Sequence, residues 1–311
     1  MARQRQRKGN PVHGWLALDK PLDMTSTQAV GALKRLYNAQ KVGHGGTLDP
    51  LATGVLPIAF GEATKTVQWA MDGDKEYVFT IEWGRSTATL DAEGDVTAAS
   101  DVRPSPGAVA RALEGFVGNI EQIPPKYSAI KVDGARAYDL ARDGETFELK
   151  GRPVTVHDAA VKDAPDADHV TLHVRTGKGF YVRALARDLA AALGAEGHVS
   201  ALRRTRVGPF SAEDCAALEE IEADEGEARF GLLAPVETAL DAVPAVDISP
   251  ADAGDIRQGR TIVLLPHTVE AWKAERGESD DRTALAMAAG QAVALGEVRA
   301  GRFQPTRVFQ L

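Results

Sequence analysis

A stretch of fifteen residues, 43–57, restricts the fold of this chain more than any other. It contains four glycines and two prolines but only one carboxylate, that of Asp49. Glycine loses the most backbone entropy in a regular element, and proline lacks an N–H and fixes φ. The stretch therefore predicts a shaped loop rather than the interior of a helix or strand. Pro50 also biases Asp49 towards an extended backbone, so a charged side chain is held on a stiff support.

On spacing alone, Asp49 has two interpretations. An aspartate before a Pro-containing turn commonly caps a helix or closes a turn with its side chain. A carboxylate is also ionised at neutral pH and can act as a nucleophile or base without a metal. The seven His residues show no metal-ligand spacing, one cysteine cannot build a zinc site, and neither a Walker A loop nor a GxGxxG motif occurs. We therefore expect neither a cofactor nor a metal.

Composition points to an intracellular globular protein. The 311 residues, of which 44% are hydrophobic, suffice for a large domain and a small one. No apolar run of about 18 residues occurs, so we expect no membrane span. The basic tail, residues 1–12, is not followed by the apolar segment of a secretory signal. The single Cys215 excludes an internal disulfide and suits a reducing compartment. We expect a cytoplasmic location.

Charge is distributed unevenly along the chain. The net charge of −8 argues against a nucleic-acid partner, because phosphate binding needs Lys and Arg. Residues 211–282, however, contain 18 acidic and 6 basic side chains, whereas residues 171–210 contain seven basic and two acidic ones. The basic segment is compatible with RNA on one face of the protein, with a solvated charged surface as the alternative.

Hydrophobic periodicity predicts both strands and helices. Residues 76–83 alternate strictly and place Tyr77 on a buried aromatic face. Ser105 followed by proline predicts the start of a helix, as do the hydroxyls within residues 24–27. Leucines spaced four apart predict a further helix over residues 183–194.

The C-terminal part of the chain has a different character. Composition shifts near residues 240–246, which predicts a domain boundary there. A capping box at Ser211 predicts a helix that continues through Cys215. Residues 267–282 are polar and charged and are predicted to form a long loop, whereas residues 283–298 are predicted to form a hairpin around a glycine turn. A small β-rich domain follows from this pattern.

Several separated motifs resemble those of the TruB family of pseudouridine synthases. Residues 45–57, Gly-Gly-Thr-Leu-Asp-Pro-Leu-Ala-Thr-Gly-Val-Leu-Pro, are similar to the catalytic motif of that family. Residues 124–131 resemble its Pro-Pro-x-Tyr-Ser-Ala-x-Lys motif, and residues 179–183 its Gly-x-Tyr-x-Arg motif. The resemblance extends over residues 14–240.

The resemblance implies roles for individual residues. Asp49 takes the place of the essential catalytic aspartate, and Arg183 that of the arginine paired with it. Asp91 resembles a second acidic residue near the site, with a plain loop aspartate as the alternative. Five further residues correspond to substrate-contacting positions: His44, which would fill the space left by a flipped base, Tyr77 and Leu202 against that base, Tyr181 in the pocket wall, and Lys131 in the Pro-Pro-x-Tyr-Ser-Ala-x-Lys motif.

The family also implies a fold. We expect an α+β protein with the pseudouridine synthase fold, a mixed and mainly antiparallel sheet with flanking helices, in residues 1–242. Residues 124–152 would form an insertion that contacts RNA. Residues 243–311 would form a small β-rich, PUA-like RNA-binding domain, for which the sequence shows no sharp motif.

The implied activity is isomerisation of uridine-55 in the T loop of tRNA. The base would be flipped out, cleaved from its ribose with the help of Asp49 and rejoined through C5. The expected partner is the T arm of tRNA, bound by a monomer without a metal or membrane. Two alternatives are a tRNA-binding or folding protein without catalysis, and a hydrolase that uses Asp49 and Asp91 as a carboxylate pair.

Overall fold

Two β-sheets organise the chain in the computed structural model, which describes residues 9–128, 130–132 and 134–311. The first eight residues of the expected basic tail lie outside the described residues. The strands are β1 (Gly14–Lys20), β2 (Val42–His44), β3 (Ala52–Phe60), β4 (Lys75–Trp83), β5 (Arg85–Thr87), β6 (Val96–Ala99), β7 (Gly118–Gln122), β8 (Lys131–Val132), β9 (Ala135–Arg136), β10 (Arg152–Asp163), β11 (His169–Thr176), β12 (Gly197–Val207), β13 (Phe210–Ser211), β14 (Ala216–Ala217), β15 (Ala245–Asp247), β16 (Ile262–Val263), β17 (Thr283–Ala288), β18 (Gln291–Arg299) and β19 (Arg302–Val308).

Helices flank both sheets. Among the residues described, no helix is both long and apolar enough to cross a membrane. The helices are α1 (Ser26–Leu36), α2 (Val67–Asp72), α3 (Pro106–Leu113), α4 (Ala137–Arg142), α5 (Val182–Ala192), α6 (Leu218–Ala223), α7 (Glu227–Gly231), α8 (Pro250–Arg257) and α9 (Pro266–Arg276).

The larger sheet is mixed. Its strands follow the order β14-β1-β3-β12-β4-β11-β10-β7, with β2 beside β3 and β13 beside β12. The pairs β1/β14 and β3/β12 are parallel, and the other neighbouring strands of this sheet are antiparallel. The expected α+β class, with a mixed and mainly antiparallel sheet, is confirmed.

Sequence patterns explain the central core. Phe79, Ile81 and Trp83 all lie on the buried face of β4, as the alternation predicts. They pack in one apolar cluster with Leu185 and Leu189 of α5. Fully burying such side chains contributes roughly 1.5–3 kcal/mol each. The helix α5 is thereby held across the middle of the sheet.

The stretch 43–57 is a loop only in part, so the prediction of a loop throughout is wrong. Strand β3 begins at Ala52 and passes through Gly54 and Pro57. It pairs with β12 only as far as Gly54 and with β2 only from Ile58 onwards, and the Pro57 carbonyl accepts a hydrogen bond from Gly45 on that same side (2.8 Å). Pro57 follows the last residue of β3 that pairs with β12 and precedes the first that pairs with β2. Its missing N–H therefore breaks no hydrogen bond in either pairing.

Two predictions for the C-terminal region are also wrong. The Ser211 capping box forms but starts only a single 3₁₀ turn, and Cys215 is extended because the next two residues join the edge of the sheet beside β1. The expected loop at 267–282 is largely the helix α9. Its first residue is a proline, which suits the N-terminal turn, and Trp272 anchors its inner face.

The smaller sheet has the order β15-β17-β18-β19-β16, and its central hairpin is the one predicted. It packs against the larger sheet through an apolar cluster that joins Leu285, Leu295 and Phe309 to Trp15 and Val236. The division into domains at residue 242 stays a prediction, because the two sheets share this cluster.

Candidate active site

Hydrogen bonds hold the loop that carries Asp49 on both sides of this residue. The buried hydroxyl of Ser26, at the start of α1, accepts a hydrogen bond from the Leu48 N–H (2.9 Å) and donates one to the Leu48 carbonyl (3.0 Å). The Asp49 carbonyl accepts from the Ala52 N–H (3.0 Å), which closes a turn ahead of β3. Asp49 thus lies in a turn, as the first of the two interpretations predicts. Its backbone carbonyl closes the turn, so its side chain is available to bind another group.

We expect Ser26→Ala to lower the free energy of unfolding by about 1–3 kcal/mol, because both backbone groups of Leu48 lose their partner in a buried position. Urea unfolding measures this loss. The matched control is Thr27→Ala, an exposed hydroxyl in the same helical turn, which should change stability by less than about 0.5 kcal/mol. Equal effects of the two substitutions would contradict the argument.

Arg183, near the N-terminus of α5, binds Asp49 and Asp91 together. Its Nη2 lies 2.7 Å from Asp49 Oδ2, and its Nη1 lies 3.3 Å from Asp91 Oδ2. The same two nitrogens donate to the carbonyls of Tyr127 (3.0 Å) and Thr89 (2.9 Å). With these partners a planar guanidinium is locked in one orientation.

The two carboxylates differ in their access to solvent. The Asp91 side chain is 7% exposed, like that of Arg183 at 8%, whereas the Asp49 side chain is 39% exposed. Asp91 also accepts hydrogen bonds from the Thr89 hydroxyl and the Glu93 N–H, so it is not a free loop residue. The arrangement leaves one accessible carboxylate, backed by a buried ion pair.

A cleft of about 280 Å³ opens in front of Asp49. Its lining includes most of the predicted site residues: Asp49, Tyr77, Tyr181, Arg183 and Leu202. Burial raises the pKa of Tyr77 and of Tyr181 above the usual value, so both phenols stay protonated near neutral pH.

Three predicted residues lie outside this cleft lining: Asp91, which is buried against Arg183, and also His44 and Lys131. His44, in β2, is half-buried, and its Nδ1 has no hydrogen-bond partner among the residues described. Burial and the nearby Arg204 charge lower the pKa of His44, which favours the neutral imidazole. Lys131, in β8, is exposed. The structure therefore brings Asp49 together with the other four lining residues, and with Asp91 through Arg183, but not with His44 or Lys131.

Comparison with known proteins decides the family. Residues 34–182 match the family model of the TruB family pseudouridylate synthase N-terminal domain, and residues 183–241 match that of the tRNA pseudouridylate synthase B C-terminal domain. The chain belongs to the TruB family. It is therefore a pseudouridine synthase, an isomerase.

Relatives of this TruB protein match it along the whole chain. The tRNA pseudouridine synthase B of Caulobacter vibrioides is 60% identical over 308 residues, which cover 99% of each chain. That of Bradyrhizobium diazoefficiens is 50% identical over 322 residues, covering 99% of this chain and 91% of the relative. A chain in the crystal structure of a Cbf5-Nop10-Gar1 complex is 26% identical, with a TM-score of 0.72, and covers 96% of this chain and 85% of that chain.

The synthase also has buried lysines beside the cleft that the sequence analysis does not predict. Lys20 Nζ donates to the Met24 carbonyl (2.7 Å), and Lys75 Nζ donates to the Gly73 carbonyl (2.5 Å). Burial lowers the pKa of each lysine to about 8, while the neighbouring Asp49 opposes this lowering at Lys20. These groups place positive charge around the loop that carries Asp49.

The geometry of Asp49 and Asp91 differs from that of the carboxylate pair in a glycosidase. Such enzymes need two accessible carboxylates with room for a sugar between them. Here the Arg183 guanidinium binds both Asp49 and Asp91, and Asp91 is buried. Of these two carboxylates only that of Asp49 lines the described cleft, which fits the TruB synthase rather than the hydrolase.

Proposed function

We propose that this synthase converts uridine-55 in the T loop of tRNA to pseudouridine. The observation that carries the proposal is the Asp49 carboxylate, accessible in a cleft and paired with the buried Arg183 at 2.7 Å. The names of the relatives, tRNA pseudouridine synthase B, support tRNA as the substrate. The choice of the T-loop uridine rests on the motif resemblance.

The cleft suits one base taken out of its stack. Its volume of about 280 Å³ lies near the lower end of small-molecule sites, about 300–1,000 Å³. A stacked or paired base cannot reach Asp49, so the target must be flipped out at a cost of a few kcal/mol. Tyr77 and Leu202 would hold the two faces of the uracil, Tyr181 would close the pocket, and His44 would fill the vacated space in the RNA.

The reaction itself is a balanced rearrangement. The N1–C1′ bond breaks, the base turns in the cleft, and a C5–C1′ bond forms. The proton on C5 is released, and N1 gains a proton. Asp49 acts as the nucleophile or base, and the ion pair with Arg183 holds its carboxylate in one orientation.

Two further surfaces are proposed RNA contacts. In the 124–152 insertion, the rings of Tyr127 and Tyr138 pack edge to face with their centroids 6.1 Å apart, and the Arg142 guanidinium lies over Tyr138. Exposed Lys131 adds positive charge there, and aromatic and cationic groups together suit a looped RNA. Residues 243–311 are proposed as a PUA-like RNA-binding domain. A monomer suffices, because one chain supplies the whole cleft.

Tritium release tests the function directly. A tRNA transcript labelled at uridine C5 is incubated with the wild-type protein, and the released label is counted and the T loop sequenced for pseudouridine. We expect release of the label from position 55. A transcript with cytidine at position 55 is the control. The label that wild-type protein releases from position 55 should be absent with this transcript. Binding of tRNA without any release would favour the RNA-binding alternative.

A further inference from the structure

Arg204 is a buried arginine in the wall of the cleft, and the proposed reaction assigns no step to it. Only 2% of the residue is exposed. Within the described part of the chain no carboxylate lies within ion-pair distance of its guanidinium. Burying an arginine without an acidic partner is costly unless hydrogen bonds satisfy it, so its position calls for an explanation.

The partners of Arg204 lie on both sides of Asp49 in the sequence. Nη2 donates to the Gly46 carbonyl (3.0 Å), Nη1 to the Thr47 carbonyl (3.3 Å), and Nε to the Val55 carbonyl (2.8 Å). One side chain from β12 thus holds the start of the catalytic loop and the strand that follows it.

Arg204 also connects this loop to Tyr77. The two residues are register partners on the adjacent strands β12 and β4. Directly opposed residues of neighbouring strands carry their side chains on the same face, and both side chains line the cleft. The charge of Arg204 opposes the burial that raises the pKa of Tyr77. The catalytic loop and the base-facing ring therefore share one cationic neighbour.

The glycines of the catalytic stretch fit the same arrangement. Gly54 is the β3 register partner of Arg204, and a Cβ on it would lie 2.2 Å from the Arg204 carbonyl oxygen. A Cβ on Gly46 would lie 3.6 Å from Arg204 Nη1, at a φ of +120° that side chains rarely adopt. Gly54 lets β3 approach β12 closely enough for the guanidinium to reach the loop.

We propose that Arg204 is a positioning residue, which sets the distance and angle between the Asp49 loop and Tyr77 in the reacting enzyme. This inference rests on the proposed function of Asp49. It predicts that loss of Arg204 slows the reaction of bound RNA rather than weakening its binding.

The test compares Arg204→Met and Arg204→Lys with Arg203→Met. Arg203 is the adjacent residue on β12, but its side chain is 40% exposed and bonds Asp19 at 3.0 and 2.8 Å, away from the catalytic loop. We expect Arg204→Met to lower kcat about 100-fold with KM within about threefold, because a displacement of about 1 Å costs that much. Arg204→Lys should be about tenfold slower than wild type, and Arg203→Met within about threefold of it.

Amide hydrogen exchange provides a readout that does not depend on activity. The Gly45 and Leu48 amides are hydrogen-bonded in the folded loop. We expect them to exchange at least about tenfold faster in Arg204→Met than in wild type, and unchanged in Arg203→Met.

A lower Tm of Arg204→Met with unchanged kcat of the folded enzyme would overturn the inference, as would unchanged loop exchange. Should Arg204→Met fail to fold, the Lys variant decides, and a wild-type kcat there overturns the inference. If wild-type protein releases no label, the proposed function fails, whereas the exchange comparison still decides whether Arg204 fixes the loop.

Discussion

Asp49→Asn is expected to lower the rate of tritium release by at least about 10⁴-fold, since it removes the only accessible carboxylate that the described cleft presents. The amide has nearly the same shape, so the loop and cleft should be retained. Affinity for tRNA should stay within about threefold of wild type, because the RNA contacts proposed above do not include this carboxylate. Release is measured at saturating enzyme, and binding by filter retention.

The control for this substitution is Asp168→Asn. Asp168 is an exposed carboxylate paired with Arg103 at the far end of β4, and the substitution removes the same charge. It should leave release unchanged. Residual release by Asp49→Asn within about tenfold of wild type would assign catalysis to another group, with Tyr77 as the first candidate. Loss of tRNA binding together with release would instead place Asp49 among the binding residues.

The part of this site that could be predicted is the part written in consecutive residues. The motif resemblance implies the roles of Asp49 and Arg183 from consecutive residues around each, whereas composition and spacing alone leave Asp49 with two interpretations. Neither inference needed the tertiary structure. That Asp91 shares the same arginine could not be derived, because the contact depends on a loop packing against α5 across 92 residues of sequence.

The buried cations were harder to predict for a physical reason. Lys75 occupies the same alternating face of β4 as Tyr77, so strict alternation places it inside. A lysine is rarely buried, however, so its residue type argues against that position. Arg204 follows Arg203 in a strand whose charges hide its hydrophobic alternation. Adjacent strand residues face opposite sides, so one of the two arginines had to point inward once β12 was known.

The misassigned elements have a related cause. Helix α9 carries few apolar residues, since it covers only one edge of a small sheet and Trp272 supplies most of its burial. Strand β3 contains glycine and proline because its neighbours change along its length. Local propensity describes an isolated segment, whereas partner strands decided the outcome in both regions.

Arg183→Met is expected to destabilise the protein by about 3–5 kcal/mol, because it leaves the buried Asp91 carboxylate without its cation. Activity should fall together with stability, since Asp49 also loses its partner. Urea unfolding at neutral pH measures the loss. The half-buried neighbour Arg187, which pairs with Asp188, is the control, and Arg187→Met should cost no more than about 1 kcal/mol.

The double variant Arg183→Met/Asp91→Asn separates the two roles of the arginine. Removing the Asp91 charge should restore at least about 2 kcal/mol of the lost stability, because an amide is far cheaper to bury than an unpaired carboxylate. Activity should not return, since Asp49 remains without the cation that orients it. A double variant no more stable than Arg183→Met would show that lost packing, rather than the buried charge, causes the destabilisation. Recovery of activity along with stability would show that Arg183 serves the fold alone, and that Asp49 reacts without a paired guanidinium.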